Sequence, residues 1–146
     1  MAAELLRRTY KVRGRDFDKA GEIAAGIKGL LKELDLDANL IHRAVIIAFE
    51  AEMNVVMYAQ EGTVTLVLTD EELRLEVSDR GPGIADIELA LTEGYSTATE
   101  EMREMGFGSG LGLPNIKRNA DNLNITSQVD VGTRVEITLY PGNRDP

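Results

Sequence analysis

Apolar and polar positions change period several times along the chain, and each change marks an element. The sharpest alternation sets Leu73, Leu75 and Val77 against Arg74, Glu76 and Ser78. A period of two is the mark of a half-buried strand. The spacing predicts a hairpin, Thr63 to Thr69 followed by Glu72 to Ser78, entered through a turn at Glu61-Gly62. Val135, Ile137 and Leu139 repeat the alternation within Thr133 to Leu139. Val131-Gly132-Thr133 joins that strand to Ile125 to Val129, and Leu5 to Val12 alternates more weakly as a first, edge-like strand.

Elsewhere the spacing is helical. From Asp16 to Leu34, Phe17, Ala20, Ile23, Ala24, Ile27, Leu30, Leu31 and Leu34 fall on one stripe, with Asp16 placed as N-cap. Gly21, Gly26 and Gly29 weaken this helix and imply close packing. After a break at Asp35 to Asp37, the segment Ala38 to Ala59 is apolar nearly all round, the pattern of a largely buried helix. A short helix is predicted over Ala85 to Leu91, and another from Pro114, a favoured first helical residue, to about Asn122. The polar stretch Thr92 to Met105 reads as a lid.

The buried helix carries polar residues that need partners. Glu50 and Asn54 are four apart and share a face. Arg43 points roughly the same way, and Glu52 nearly opposite. The residues alone leave two accounts open: a buried Arg43–Glu50 ion pair with a hydrogen-bonded Asn54, or an acid–amide pair kept for chemistry. The lone His42 reads as a helix-surface or satisfied residue rather than a ligand or phosphoacceptor.

Seven of the fourteen glycines lie between Asp79 and Gly112. One cluster is Asp79-Arg-Gly-Pro-Gly-Ile84; the other is Gly106-Phe-Gly-Ser-Gly-Leu-Gly112. Glycine clusters flanking a polar loop, the second leading into a helix N-terminus, place backbone amides where phosphates bind. The pattern is neither a Walker A loop nor a dinucleotide fingerprint.

Composition narrows the class. At 146 residues, with 43% hydrophobic and 28% charged content, the chain reads as one domain, 1–146, with a frayed tail at about 141–146. It has no cysteine, hence no disulfide framework, thiolate metal site or cysteine nucleophile. A net charge of −9 argues against nucleic-acid binding. There is no membrane-spanning run, and Met1 to Arg15 lacks the apolar core of a signal peptide. The expected location is cytoplasmic. Arg7, Arg8, Lys11, Arg13 and Arg15 stand out in an acidic chain. They read either as guards of an exposed edge strand or as a docking strip for an acidic partner.

In their order, these pieces resemble the GHKL ATPases, the superfamily of gyrase, Hsp90, histidine kinases and MutL. Glu50-Ala-Glu-Met-Asn54 is similar to the N-box, Asp79 to Ile84 to the G1 box, Gly106 to Gly112 to the G2 box, and Gly132-Thr133 to the closing Gly-Thr. The resemblance covers roughly Ala38 to Tyr140. It implies an α/β (α+β) two-layer sandwich of the Bergerat type, a mixed, mostly antiparallel sheet with helices on one face. Within the superfamily the chain resembles the bacterial anti-sigma factor kinases and the stressosome switch kinase. The runs Tyr58 to Gly62, Gly81 to Thr97 and Gly110 to Arg118 resemble the switch kinase, whereas the Thr99 to Met105 insertion is more like the anti-sigma kinases' longer lid.

The resemblance implies ATP and Mg²⁺ as cofactors. Asp79 would accept from the adenine amino group. Thr133 would support that contact or be an ordinary strand-start residue. Gly81, Gly83 and Ile84 would form the turn beneath the base. Asn54 would be the metal ligand and Glu50 the general base. Gly106, Gly108, Gly110, Leu111 and Gly112 would cradle the phosphates. Lys117, and Arg103 on lid closure, would add charge or remain solvated. The implied function is serine/threonine phosphorylation of a STAS-type antagonist, with a sigma factor or phosphatase as further partner and a homodimer as in related anti-sigma kinases. The alternatives are a non-catalytic ATP-responsive binding module, a simple ATP hydrolase and an orphan histidine-kinase-type ATPase domain.

Overall fold

The computed structural model describes residues 3–92 and 112–142. Five strands form one sheet: β1 (Glu4–Arg13), β2 (Glu61–Thr69), β3 (Leu73–Arg80), β4 (Asn122–Gln128) and β5 (Gly132–Leu139). Their order is β1-β2-β3-β5-β4, and all four ladders are antiparallel. The expected mixed sheet is therefore purely antiparallel among the described residues. Both hairpins, β2–β3 and β4–β5, turn directly back on themselves, which is how neighbouring strands become antiparallel.

The helices among the described residues are α1 (Glu22–Glu33), α2 (Ala38–Tyr58), the single turn α3 (Ile87–Ala90) and α4 (Gly112–Asn119). The longest, α2, packs against β1, β2 and β3, and is flanked by α1 and α4. Asp37 caps it by accepting from the Leu40 amide at 3.0 Å. Its buried side chains, Leu40, Ile41, Ala44, Ile47, Ala48, Ala51, Val55 and Val56, meet Val64, Leu66, Leu73, Leu75, Val77, Ile137 and Leu139 from the sheet in one core cluster. A helix apolar on so many sides is stable only in this sandwiched position.

Several boundaries differ from the expected ones. Glu61 and Gly62 belong to β2 rather than to a turn, and Asp79 lies inside β3 rather than beyond it. Pairing continues because Gly62 faces Asp79 across the ladder; a Cβ on Gly62 would come within 2.7 Å of the Ser78 carbonyl oxygen. The predicted helix from Asp16 is broken. A 3-10 turn, Phe17–Lys19, is followed by Gly21 at φ 97°, and α1 starts only at Glu22. A left-handed residue cannot continue a right-handed helix, and Asp16 makes no side-chain cap bond. The predicted helix from Pro114 begins instead at Gly112 and ends at Asn119.

Candidate nucleotide site

The second half of α2 meets a different segment at each of three positions. Glu50 accepts a hydrogen bond on Oε2 from Asn115 Nδ2 at 2.6 Å, so it faces α4. Asn54, one turn on, faces the first residue of α4: a Cβ on Gly112 would lie 3.1 Å from Asn54 Oδ1. Ala59, just past the helix end, sits under the first glycine cluster, 3.0 Å from where a Gly81 Cβ would stand. Both glycines are small because α2 lies against them. The structure thus brings Glu50, Asn54, Gly81 and Gly112 along one helix.

Asp79 closes the far end. It is half-buried on β3, opposite Thr133 of β5, whose amide donates to Asp79 Oδ1 at 3.2 Å. Burial pushes the Asp79 carboxyl above the ordinary carboxylate range, and the Thr133 amide partly opposes this. Gly132 fits only as glycine, because a Cβ would lie 2.0 Å from the Asp79 carbonyl oxygen. Gly83 has φ 75° and packs on the Gln128 backbone.

Sequence reasoning missed Ser127. Its hydroxyl accepts from the Ile84 amide at 2.7 Å, lies 2.9 Å from Thr133 Oγ1 and donates to the Gly132 carbonyl at 3.1 Å. It therefore ties the Asp79–Ile84 turn to the Gly-Thr step. A signal was present: Leu123, Ile125 and Ser127 continue one alternation, and a hydroxyl on an apolar face needs partners.

The expected Arg43–Glu50 ion pair is not formed. Arg43 pairs not with Glu50 but with Asp121, Nη1 to Oδ2 at 3.1 Å, both side chains being buried. Arg43 also donates to Asn39 Oδ1 and the Asn119 carbonyl, and the Tyr140 amide donates to the same Asp121 oxygen. Glu52, 2% exposed, accepts from the amides of Gly21, Ile23 and Ala24 and so caps α1 from a neighbouring helix. Glu50 is left as the half-buried carboxylate beside Asn54.

Lys117 is exposed in the last turn of α4, and His42 is exposed on α2. Gly106, Gly108, Gly110, Leu111 and Arg103 lie outside the described residues. A groove of about 610 Å³ opens beside Glu50 and Asn115 between α1, α2 and α4. Another of about 680 Å³, at the ends of β1–β3, includes Asp79 but neither Glu50 nor Asn54. Neither by itself outlines a nucleotide; the segment 93–111, outside the described residues, joins the turn after α3 to α4. Among the described residues no cluster of three or more His, Asp or Glu side chains could hold a metal ion, and no helix is long and apolar enough to cross a membrane.

Fold and site together define the class: an α+β sandwich with an acid and an amide on its central helix and a half-buried aspartate in a glycine-rich strand end. Residues 37–143 match the family described as histidine kinase-, DNA gyrase B-, and HSP90-like ATPase. The chain belongs to that family. It is 31% identical over 98 residues to an anti-sigma F factor of Caldanaerobacter subterraneus, covering 64% of this chain and 65% of that one. It is 30% identical over 91 residues to the serine/threonine-protein kinase RsbT of Bacillus subtilis, covering 60% and 62%. An anti-sigma F factor of Clostridium acetobutylicum is 30% identical over 114 residues, covering 75% and 76%. The first two matches thus span somewhat less than two thirds of those relatives. Among solved structures, the SiaB-SiaC complex from Pseudomonas aeruginosa superposes with a TM-score of 0.63 at 12% identity, covering 93% of this chain and 89% of that one. The RsbU and RsbW domains of Rv1364c from Mycobacterium tuberculosis give 0.60 at 17% identity, covering 92% and 32%. At these identities the likeness is one of fold.

Proposed function

We propose that this chain is an ATP- and Mg²⁺-dependent serine/threonine protein kinase of a bacterial partner-switching system, acting on a STAS-type antagonist, with a sigma factor or phosphatase as further partner. The observation that carries the reading is the placement of Glu50 and Asn54, one turn apart on α2, against α4 and its first residue. Its relatives named anti-sigma F factor and serine/threonine-protein kinase support it.

Asp79 accepts from the adenine amino group, and Thr133, already bonded to it, holds that carboxylate in place. Gly81, Gly83 and Ile84 shape the turn beneath the base. Asn54 fits a magnesium ion: its Oδ1 faces a space that a single Cβ on Gly112 would fill. One amide ligand suits an ion that keeps waters and phosphate oxygens in its shell. When bound, Mg²⁺ neutralises phosphate charge. The glycine-rich run Gly106, Gly108, Gly110, Leu111 and Gly112, described only from Gly112 on, would offer backbone amides to the phosphates, and Lys117 would add positive charge. Glu50 takes the proton of the acceptor hydroxyl as its oxygen bonds to the γ-phosphorus, and the bond to the β,γ-bridging oxygen breaks, leaving ADP.

The test is incubation with γ-labelled ATP and candidate STAS-domain proteins. Label on serine or threonine of one of them is expected, with Glu50→Gln retaining ATP affinity and losing transfer. Tight ATP binding with no transfer to any acceptor would instead make the chain an ATP-responsive binding module.

A further inference from the structure

Glu50 is gripped from the side. Asn115 Nδ2 donates to its Oε2 at 2.6 Å, and Arg118 Nη1 donates to Asn115 Oδ1 at 2.9 Å. Chemistry fixes which way the amide faces. A carboxylate accepts and a guanidinium only donates, so one orientation alone satisfies both ends. The amide is also carried on a fixed support. Asn119 Nδ2 donates to the Asn115 carbonyl at 2.9 Å, and the end of α4 is tied back to α2 by Arg43 through the Asn119 carbonyl and Asp121. The helix bearing the carboxylate and the helix bearing the amide are thus locked together beyond the site.

We infer that Asn115 is a positioning residue for Glu50. It occupies Oε2 and sets the plane of the carboxylate, leaving Oε1, which has no partner among the described residues, as the oxygen that receives the acceptor proton. A base needs hydrogen-bond reach to the proton it takes and a further group to orient it. Asn115 supplies that orientation without touching substrate. The groove beside Glu50 and Asn115 gives an acceptor side chain a route to the exposed side of the pair. This inference rests on Glu50 being the base proposed above.

The test measures phosphoryl transfer by the full chain to a STAS-domain protein that it labels, or phosphate release to water if none is labelled. Asn115→Ala is expected to lower kcat at least tenfold while KM for ATP stays within twofold. Asn115→Asp, isosteric and so a safeguard should the alanine variant fold poorly, is expected to lower kcat further, because two carboxyl groups at that contact cannot both ionise and a shared proton disables Glu50 as a base. In a Glu50→Gln background, Asn115→Ala is expected to cost nothing more, since the residue acts only through that carboxylate. The inference is overturned if Asn115→Ala keeps kcat within twofold while Glu50→Gln abolishes it. It is equally overturned if the alanine loss persists in the Glu50→Gln background, or if ATP affinity falls in step with kcat. Full activity of Glu50→Gln itself would remove the base, and this inference with it.

Discussion

Asp79, proposed above to hold the base, sits where that role works against the fold that carries it. Its carboxyl is pushed up by burial, with the Thr133 amide opposing. A carboxyl raised above its unfolded value holds its proton more tightly in the folded chain. The stability this contributes is fully present below the ordinary carboxylate range and is lost as pH rises through the raised value. At neutral pH, ionised Asp79 therefore weighs against the nucleotide-free fold. Asp79→Asn keeps an oxygen for the Thr133 amide and removes the charge. The expected outcome at pH 7 is an unchanged or higher melting temperature without nucleotide, an advantage that shrinks toward pH 4, the ordinary carboxylate range. The same variant should bind ATP more weakly by about 1–3 kcal/mol, the scale of a hydrogen bond to a charged group. Calorimetric melting across pH, with ATP titration, checks both halves. A melting temperature that falls at pH 7 would contradict the sign.

At the scale of elements, α2 is held by polar contacts whose partners lie far away in sequence. Arg43 reaches Asp121, and Glu52 reaches the start of α1. Removing one partner of a buried ion pair strands the other charge, a loss of about 3–5 kcal/mol. Arg43→Ala should lose that much in urea unfolding, much more than removal of the exposed Arg80–Glu61 pair. Glu52→Ala should speed hydrogen exchange at Gly21, Ile23 and Ala24 before it affects the sheet, because those amides lose their acceptor.

These contacts also mark what the sequence could reveal. The strand alternation at Leu73 to Val77 and Val135 to Leu139, the hairpin, and the all-round apolar α2 were legible because period and composition act locally. The family was legible because motifs that are weak singly, from Glu50 to Asn54 and from Asp79 to Ile84, stand together in the right order. The partner of Arg43 was not, because Glu50 is near in sequence and Asp121 is near only in space. The break in α1 was hidden too: Gly21 could be read as a weak helix former or as a left-handed stop, and only the carboxylate of Glu52 from the next helix decides. Ser127 went unseen because one hydroxyl at a strand end carries little information until the turn it meets is known.

For the whole molecule, the candidate site draws on α2, β3, α4, β4 and β5, so nucleotide binding should report on the entire fold. ATP with Mg²⁺ at a hundredfold excess over Kd should add about 2.7 kcal/mol. For a chain of this size that is roughly 5–10 °C in melting temperature. Asn54→Ala should remove the magnesium-dependent part of that rise and leave the magnesium-independent part. A rise insensitive to both magnesium and Asn54 would show that the metal is held elsewhere.

The strand order has a consequence for how the molecule is made. β5 is the fifth strand in sequence but the fourth in space, inserted between β3 and β4. It alone supplies Thr133 to Asp79, and Gly132 to both Arg80 and Gln128. A nascent chain that has emerged as far as Gln128 already carries Glu50, Asn54 and Asp79, yet β3 has a bare edge and β4 has nothing to pair with. The proposed base recognition would therefore be the last property acquired at the ribosome, and a truncated product ending at Gln128 should be an aggregation-prone fragment without ATP affinity.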